Sequence, residues 1–270
     1  MRFKNKVVVV TGASSGIGLA LVNEFAKNGA KVAMAARNEE KLREISKELT
    51  DRNVDNICLK VDVTNENDCK LLINKTIETF GKIDVLICNA GISMRALLDD
   101  VDLDVLKRLM DVNFWGTVYC VKYALPYLQD TQGSIVGVSS VAGIHGLPAR
   151  TGYSASKYAM QGFLETVRIE NLKKKVHVMI AYPGFTATNV RFSALTADGS
   201  NQGETPRNEE KMMSAEEVAL RISKGINKRK KLLLMDFQGK ASFFIKKISI
   251  GLLDKLFYSH MAKESDSPLQ

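Results

Sequence analysis

Apolar residues recur along the chain in two rhythms. Short runs rich in Val, Ile, Leu and Ala, unbroken at 7–10, occupy about residues 7–10, 31–36, 57–61, 83–88, 133–138, 176–182 and 231–237. Runs of this length without polar alternation are the mark of strands covered on both faces. Between them lie longer amphipathic stretches, at about 17–28, 39–51, 66–80 and 103–128, from near Gly152 onward, and after the cap residue Ser214. Strands alternating with helices of a dozen residues predict a βαβ array. The expected fold class is α/β, a doubly wound seven-stranded parallel sheet in one domain over residues 1–239. A basic amphipathic helix follows over 240–270, and a polar, aperiodic segment at about 185–213 is the candidate substrate loop.

Composition adds little to this and charge adds one point. The chain has 270 residues, 45% of them hydrophobic, enough for a sizeable core. The formal net charge is +8, and residues 221–263 hold 11 Lys or Arg against Asp236 and Asp254, so the basic character belongs to the C-terminal segment. No nucleic-acid motif or aromatic platform accompanies that charge. No stretch of 18 apolar residues occurs, and the valine run at 7–10 is too short for a signal sequence. Cys58, Cys69, Cys88 and Cys120 show no metal-type or paired spacing, which predicts buried free thiols and a reducing compartment.

Candidate chemistry concentrates at strand ends. After the first strand, Gly12, Gly16 and Gly18 with Ser14, Ser15 and Ile17 turn the chain into a helix. Glycines there let the backbone approach a phosphate, and a helix N-terminus offers N–H groups to it. The second strand ends in Ala36-Arg37-Asn38, where an NAD site would carry an acid. A guanidinium in that place suits the extra phosphate of NADP(H). Further on, Ser140 closes the fifth strand, and Tyr153 and Lys157 stand four apart on the next helix, hence on one face of it. An ammonium ~4 Å from a phenolate, at an effective dielectric of about 20, is worth ~4 kcal/mol and would bring a tyrosine toward neutral pKa.

Thr11-Gly-Ala-Ser-Ser-Gly-Ile-Gly18, Asn89-Ala-Gly91, Asn113, Ser140, Tyr153-x-x-x-Lys157 and Pro183-Gly184 stand in one order. In this the chain resembles the short-chain dehydrogenases/reductases over about residues 5–240, with Cys88 where the family usually has a second Asn. The resemblance implies a Rossmann-like fold and an NADP(H)-dependent carbonyl reductase or alcohol dehydrogenase. It makes Tyr153 the proton donor, Ser140 the partner of the substrate oxygen and Lys157 the holder of the ribose. It also implies that Asn113 holds a helix bend and a water leading to Lys157. Asp62 and Val63 would then meet the adenine, Asn89, Ala90 and Gly91 the cofactor, and Pro183, Gly184, Thr186 and Thr188 the nicotinamide end. Asp62 could equally cap the helix beginning near Asn65.

The segment 193–200 and the basic, apolar C-terminus look like the branch of acyl-dihydroxyacetone-phosphate reductases and hydroxysteroid dehydrogenases. That implies a lipid-like ketone, with a β-ketoacyl thioester as the alternative and a non-catalytic NADP-binding protein as the reading from another class. His145 and Arg150 fall in one expected substrate wall, residues 141–150, facing another at 92–98. A homodimer or homotetramer is expected, with Met160, Phe163, Leu164 and Val167 offering apolar surface to a second copy. The expected location is cytoplasmic. For residues 240–263 two readings stay open, a peripheral membrane contact and docking on the protein itself.

Overall fold

The computed structural model describes residues 2–187, 193–203, 212–263, 267 and 269. Seven strands form one sheet: β1 (Val7–Thr11), β2 (Lys31–Ala36), β3 (Asn56–Lys60), β4 (Val85–Cys88), β5 (Ser134–Val138), β6 (His177–Tyr182) and β7 (Leu232–Leu234). Their spatial order is β3-β2-β1-β4-β5-β6-β7 and every pairing is parallel. Strand order reverses between β1 and β4, and the crevice outside the carboxyl ends at such a reversal is where a doubly wound sheet takes its ligand. Asp84, just before β4, fixes that junction: its buried carboxylate accepts from Lys6 Nζ at 2.7 Å and from the Val7 amide at 2.9 Å.

The apolar strands divide their side chains between two layers. Val8 and Val10 face a core completed by α1 (Gly16–Lys27), α2 (Glu39–Asp51) and α7 (Ala215–Asn227), through Leu21, Phe25, Leu42 and Ile222. Val9 faces the other, completed by α3 (Glu66–Phe80), α5 (Gly116–Asp130) and α6 (Thr151–Glu170), through Leu72, Val121 and Leu164. Burial on both faces is what the apolar runs require. The cysteines are free; Cys69, Cys88 and Cys120 are buried and Cys58 half-buried.

Three elements depart from the sequence reading. The single helix expected at 103–128 is α4 (Leu103–Met110), a π-helical turn (Asp111–Trp115) and α5. The buried Asn113 sits in that turn, its side chain answering the backbone of Ile92. The C-terminal stretch is helical but split into α8 (Phe237–Ile248) and α9 (Ile250–Met261), because Ser249 is extended and its hydroxyl accepts from the Leu252 amide. α8 therefore begins ahead of residue 240, with Asp236 as its cap. Finally, Met160, Leu164 and Val167 are buried in the chain's own core and Phe163 packs partly against it. The spacing of four and three between Met160, Leu164 and Val167 is that of a core-facing stripe, so these three offer no surface to a second copy, while Phe163 stays half-buried.

Candidate active site

The glycine turn is held from two sides. Gly12 and Gly16 have φ of 66° and 51°, the left-handed region that only glycine enters cheaply. A Cβ on Gly12 would lie 2.9 Å from the Ala90 Cα, and one on Gly18 would overlap the Gly12 carbonyl oxygen. Thr11 Oγ1 donates to the Ile87 carbonyl and accepts from the amides of Asn89 and Ala90 at 3.0 and 3.1 Å. Asn89 Nδ2 donates back to the carbonyls of Thr11 and Gly12 at 3.0 and 3.2 Å. Asn89 thus shapes the turn as well as lining the cleft above it, and Thr11 is a shaping residue that the sequence reading passed over.

The cleft itself has a volume of about 460 Å³. Gly12, Ser14, Ser15, Gly16, Ile17 and Gly18 form its floor at the start of α1. Arg37 and Asn38 reach it from the end of β2, Asp62 and Val63 from the end of β3, and Asn89, Ala90 and Gly91 from the end of β4. Tyr153 and Lys157 close it from α6. These residues come from five separate segments, and the fold brings them together around one volume.

The α1 N-terminus makes no side-chain cap hydrogen bond through Ser15 and has no acid in its first turn. Its positive end therefore faces the cleft uncompensated, as an anion site requires. Ser139 lines the same cleft, and its Oγ is buried without a hydrogen-bond partner. Gly91 leaves room beside Asn113 Oδ1 and Lys157 Nζ, which a Cβ would crowd at 3.0 and 3.3 Å. A glycine cradle, an uncapped helix end and an orphaned hydroxyl fit a dinucleotide.

Other candidates have structural work of their own. Asn38 caps α2, accepting from the Lys41 amide at 3.0 Å. Asp62 does not cap α3, since Asn65 holds that place; Asp62 Oδ1 accepts instead from the amide and hydroxyl of Thr64. Gly184 passes so close to Asp236 that any side chain would collide with its carboxylate. Thr186 is buried and donates to the Gly184 carbonyl at 3.1 Å. Pro183, Gly184 and Thr186 lie outside the cleft lining, and Thr188 lies outside the described residues. Among the described residues no group of three His, Cys, Asp or Glu side chains could hold a metal ion.

At the reacting end, Asn113 Nδ2 donates to the Ile92 carbonyl and to Ser156 Oγ at 3.0 and 2.9 Å, while its Oδ1 accepts from the Ile92 amide. It thus ties the π turn to the segment after β4 and to α6. Ser140 follows β5 and caps the short turn Val141–Gly143, its hydroxyl accepting from the Ala142 amide; it stands close enough to Tyr153 to lower the phenol's pKa, though it lies outside the cleft lining. Lys157 is 3% exposed and donates to the Val138 carbonyl at 2.9 Å. Burial pulls its pKa down to about 8, partly offset by the Cys88 thiol.

Contrary to the expectation from spacing, the Tyr153 phenol is held above its ordinary pKa: desolvation outweighs the lowering by Ser140 and the field of Arg150. The Lys157 ammonium, 5.8 Å from the Tyr153 ring centroid and engaged by the Val138 carbonyl, does not offset that burial. Arg150 was legible only as a residue near Tyr153; it follows Ala149, whose φ of 57° is an uncommon backbone for a non-glycine. Around Tyr153, an apolar wall of Ile92, Met94, Leu195 and Ala197 joins the segment after β4 to the described part of the substrate loop. His145 faces away from this wall, bonded to Asp254 at 2.8 Å and stacked on Phe257.

A doubly wound parallel sheet with a glycine-floored cleft at its switch point, and a tyrosine, serine and lysine at the cleft's end, defines a nucleotide-dependent oxidoreductase. The chain belongs to the short-chain dehydrogenase family, whose model matches residues 6–198. It is 36% identical over 270 residues to the mouse dehydrogenase/reductase SDR family member 7B, covering 98% of this chain and 84% of that one. It is 42% identical over 197 residues to the Arabidopsis thaliana 11-beta-hydroxysteroid dehydrogenase-like 2, covering 70% of this chain and 63% of that one. Among solved structures, a short chain dehydrogenase/reductase from Burkholderia phymatum in complex with NAD superposes with a TM-score of 0.82 at 25% identity, over 93% of this chain and 96% of that one. An alcohol dehydrogenase from Thermococcus sibiricus complexed with 5-hydroxy-NADP does so at 0.71 and 27%, over 80% and 88%.

Proposed function

We propose that the protein is an NADP(H)-dependent carbonyl reductase, or alcohol dehydrogenase in reverse, acting on a lipid-like ketone as a homo-oligomer. The observation that carries the reading is the Tyr153 phenol, which lines the end of a cleft that also holds Lys157, with Ser140 beside it as a neighbour that favours its ionised form. The nicotinamide cofactor supplies the hydride that the carbonyl carbon accepts. Tyr153 gives its proton to the carbonyl oxygen, and Ser140 donates to the same oxygen to orient it. A phenol above its ordinary pKa stays protonated at neutral pH, the state needed for reduction.

Support for the phosphorylated cofactor is Arg37, a cleft-lining guanidinium beside Ala36 and Asn38 with no acid between them. Of the two solved neighbours, one is in complex with NAD and the other with 5-hydroxy-NADP, so the choice rests on this residue. A lipid-like substrate is supported by the apolar wall beside Tyr153 and by the hydroxysteroid dehydrogenase-like names of its relatives.

The test is NADPH consumption over a panel of hydrophobic ketones. Tyr153→Phe is expected to bind NADPH as the parent does and to lose turnover by ~100-fold or more, because only the proton donor has gone. Turnover near that of the parent would sink the mechanism.

A further inference from the structure

We propose that the outer face of α8 and α9 is a seat for an anionic lipid surface. A helix on the surface of a protein ordinarily buries its apolar stripe and exposes its small and polar residues. α8 does the reverse. It buries Gly239 and Ser242 against the body of the protein, while Phe237, Phe244 and Ile248 are 83%, 62% and 85% exposed. Those three stand at spacings of seven and four, a single stripe along the helix.

α9 splits its apolar residues between two faces. Leu253, Phe257 and Met261 form the inner one: Leu253 and Met261 are buried and Phe257 stacks on His145. Leu252 and Leu256 form the outer one, and both are exposed. Phe257 thus belongs to the docked side.

The pair of helices is firmly attached, so the outward stripe is not a detached tail caught in passing. Lys246 Nζ donates to the Ile144 carbonyl and to Tyr158 Oη, each at 2.6 Å, and Asp254 bonds His145 at 2.8 Å. Docking on the protein's own body and an outward apolar face thus coexist, where the sequence had set them as alternatives.

Charge selects the occupant. Between Phe237 and Lys263 the chain has five lysines and one carboxylate, Asp254, which His145 engages. Lys246 turns inward, and Lys240, Lys247, Lys255 and Lys263 are exposed around the two stripes. Large apolar side chains ringed by ammonium groups match a bilayer interface, where acyl chains take the first and anionic headgroups the second. Among the described residues no helix is long and apolar enough to cross a membrane, so the contact is one of lying on the surface. This inference goes beyond the proposed reaction and does not depend on it.

The experiment is sedimentation of the full chain with phosphatidylcholine vesicles, with and without phosphatidylserine, at low and high salt. The full chain should pellet with the anionic vesicles, less so as salt rises. The double variant Ile248→Asp with Leu252→Asp, and separately Lys247→Glu with Lys255→Glu, should each lower the partition at least about tenfold. These side chains are exposed, so thermal unfolding should stay at the parent temperature, which excludes misfolding as the cause. A full chain left in the supernatant at low salt, or variants that pellet like the parent, would overturn the proposal. So would equal binding to neutral vesicles, which would remove the anionic requirement. If vesicles fail and the Ile248→Asp, Leu252→Asp variant instead halves the mass by light scattering, the face belongs to a second copy.

Discussion

Lys157 shows how a buried ammonium in the candidate site can cost the fold stability. Its pKa is pulled down to about 8 from 10.5 by burial. Between these values the unfolded chain keeps a proton that the folded chain has released, so stability rises with pH across about 8 to 10.5 and the penalty is full below 8. At 1.36 kcal/mol per unit, the cost at neutral pH is about 3 kcal/mol. Lys157→Met is expected to unfold at higher urea than the parent at pH 7, with the difference shrinking above pH 8; a difference that does not change with pH would show that the ammonium is not the cause. Arg37 offers a second residue-scale test. Arg37→Asp is expected to weaken NADPH at least ~10-fold more than NADH, since it sets a carboxylate where the proposal places the partner of the extra phosphate. Equal losses in fluorescence titrations with the two cofactors would show that Arg37 meets no phosphate. At this scale the glycines, Tyr153 and Lys157 were legible because their chemistry is local. Hidden from the sequence were the Thr11–Asn89 lock and the orphaned Ser139 hydroxyl, which exist only once β1, β4 and β5 are side by side.

Among the elements, the strands were readable because burial on both faces leaves apolar runs, and the start of α7 because Ser214 caps it; Asn38 and Asn65, not read as caps, turned out to cap α2 and α3. The π turn at Asp111–Trp115 left no mark in the periodicity; only the family resemblance, which gave Asn113 a helix bend, pointed to it, and Asn113 there is hydrogen-bonded to Ile92, a partner 21 residues away. The break at Ser249 carried only a cap residue in an otherwise helical pattern. The glycine floor lends itself to a paired test at this scale. Gly18→Ala would force α1 away from the Gly12 carbonyl, an overpacking cost of about 1–3 kcal/mol, and should weaken cofactor binding with it. Gly251 in α9 has nothing within 4 Å of a Cβ, so Gly251→Ala should stabilise by up to about 1 kcal/mol through helix propensity. Urea unfolding in which Gly18→Ala matched the parent would show that the turn has slack that its geometry denies.

Assembly belongs to the whole molecule, and here periodicity misled until burial was known. With Met160, Leu164 and Val167 committed to the core, the apolar surface left near α5 and α6 is aromatic. Trp115 is 44% exposed and stacks on Tyr119 at 5.8 Å between centroids, and Phe114 meets Phe163 edge to face at 6.2 Å. Large aromatic side chains are over-represented at the centres of protein interfaces, where they bury much area at little cost in side-chain freedom. The face is remote in kind from the lysine-ringed stripes of α8 and α9, for no excess of ammonium groups is needed to explain it. A homo-oligomer built on this face would bury Trp115, and a carboxylate placed there would be desolvated without a partner. Light scattering at micromolar concentration should therefore return a multiple of 29.8 kDa for the parent and a mass near 29.8 kDa for Trp115→Glu. A parent that is already monomeric would remove the assembly, and an oligomer indifferent to Trp115→Glu would place its interface elsewhere.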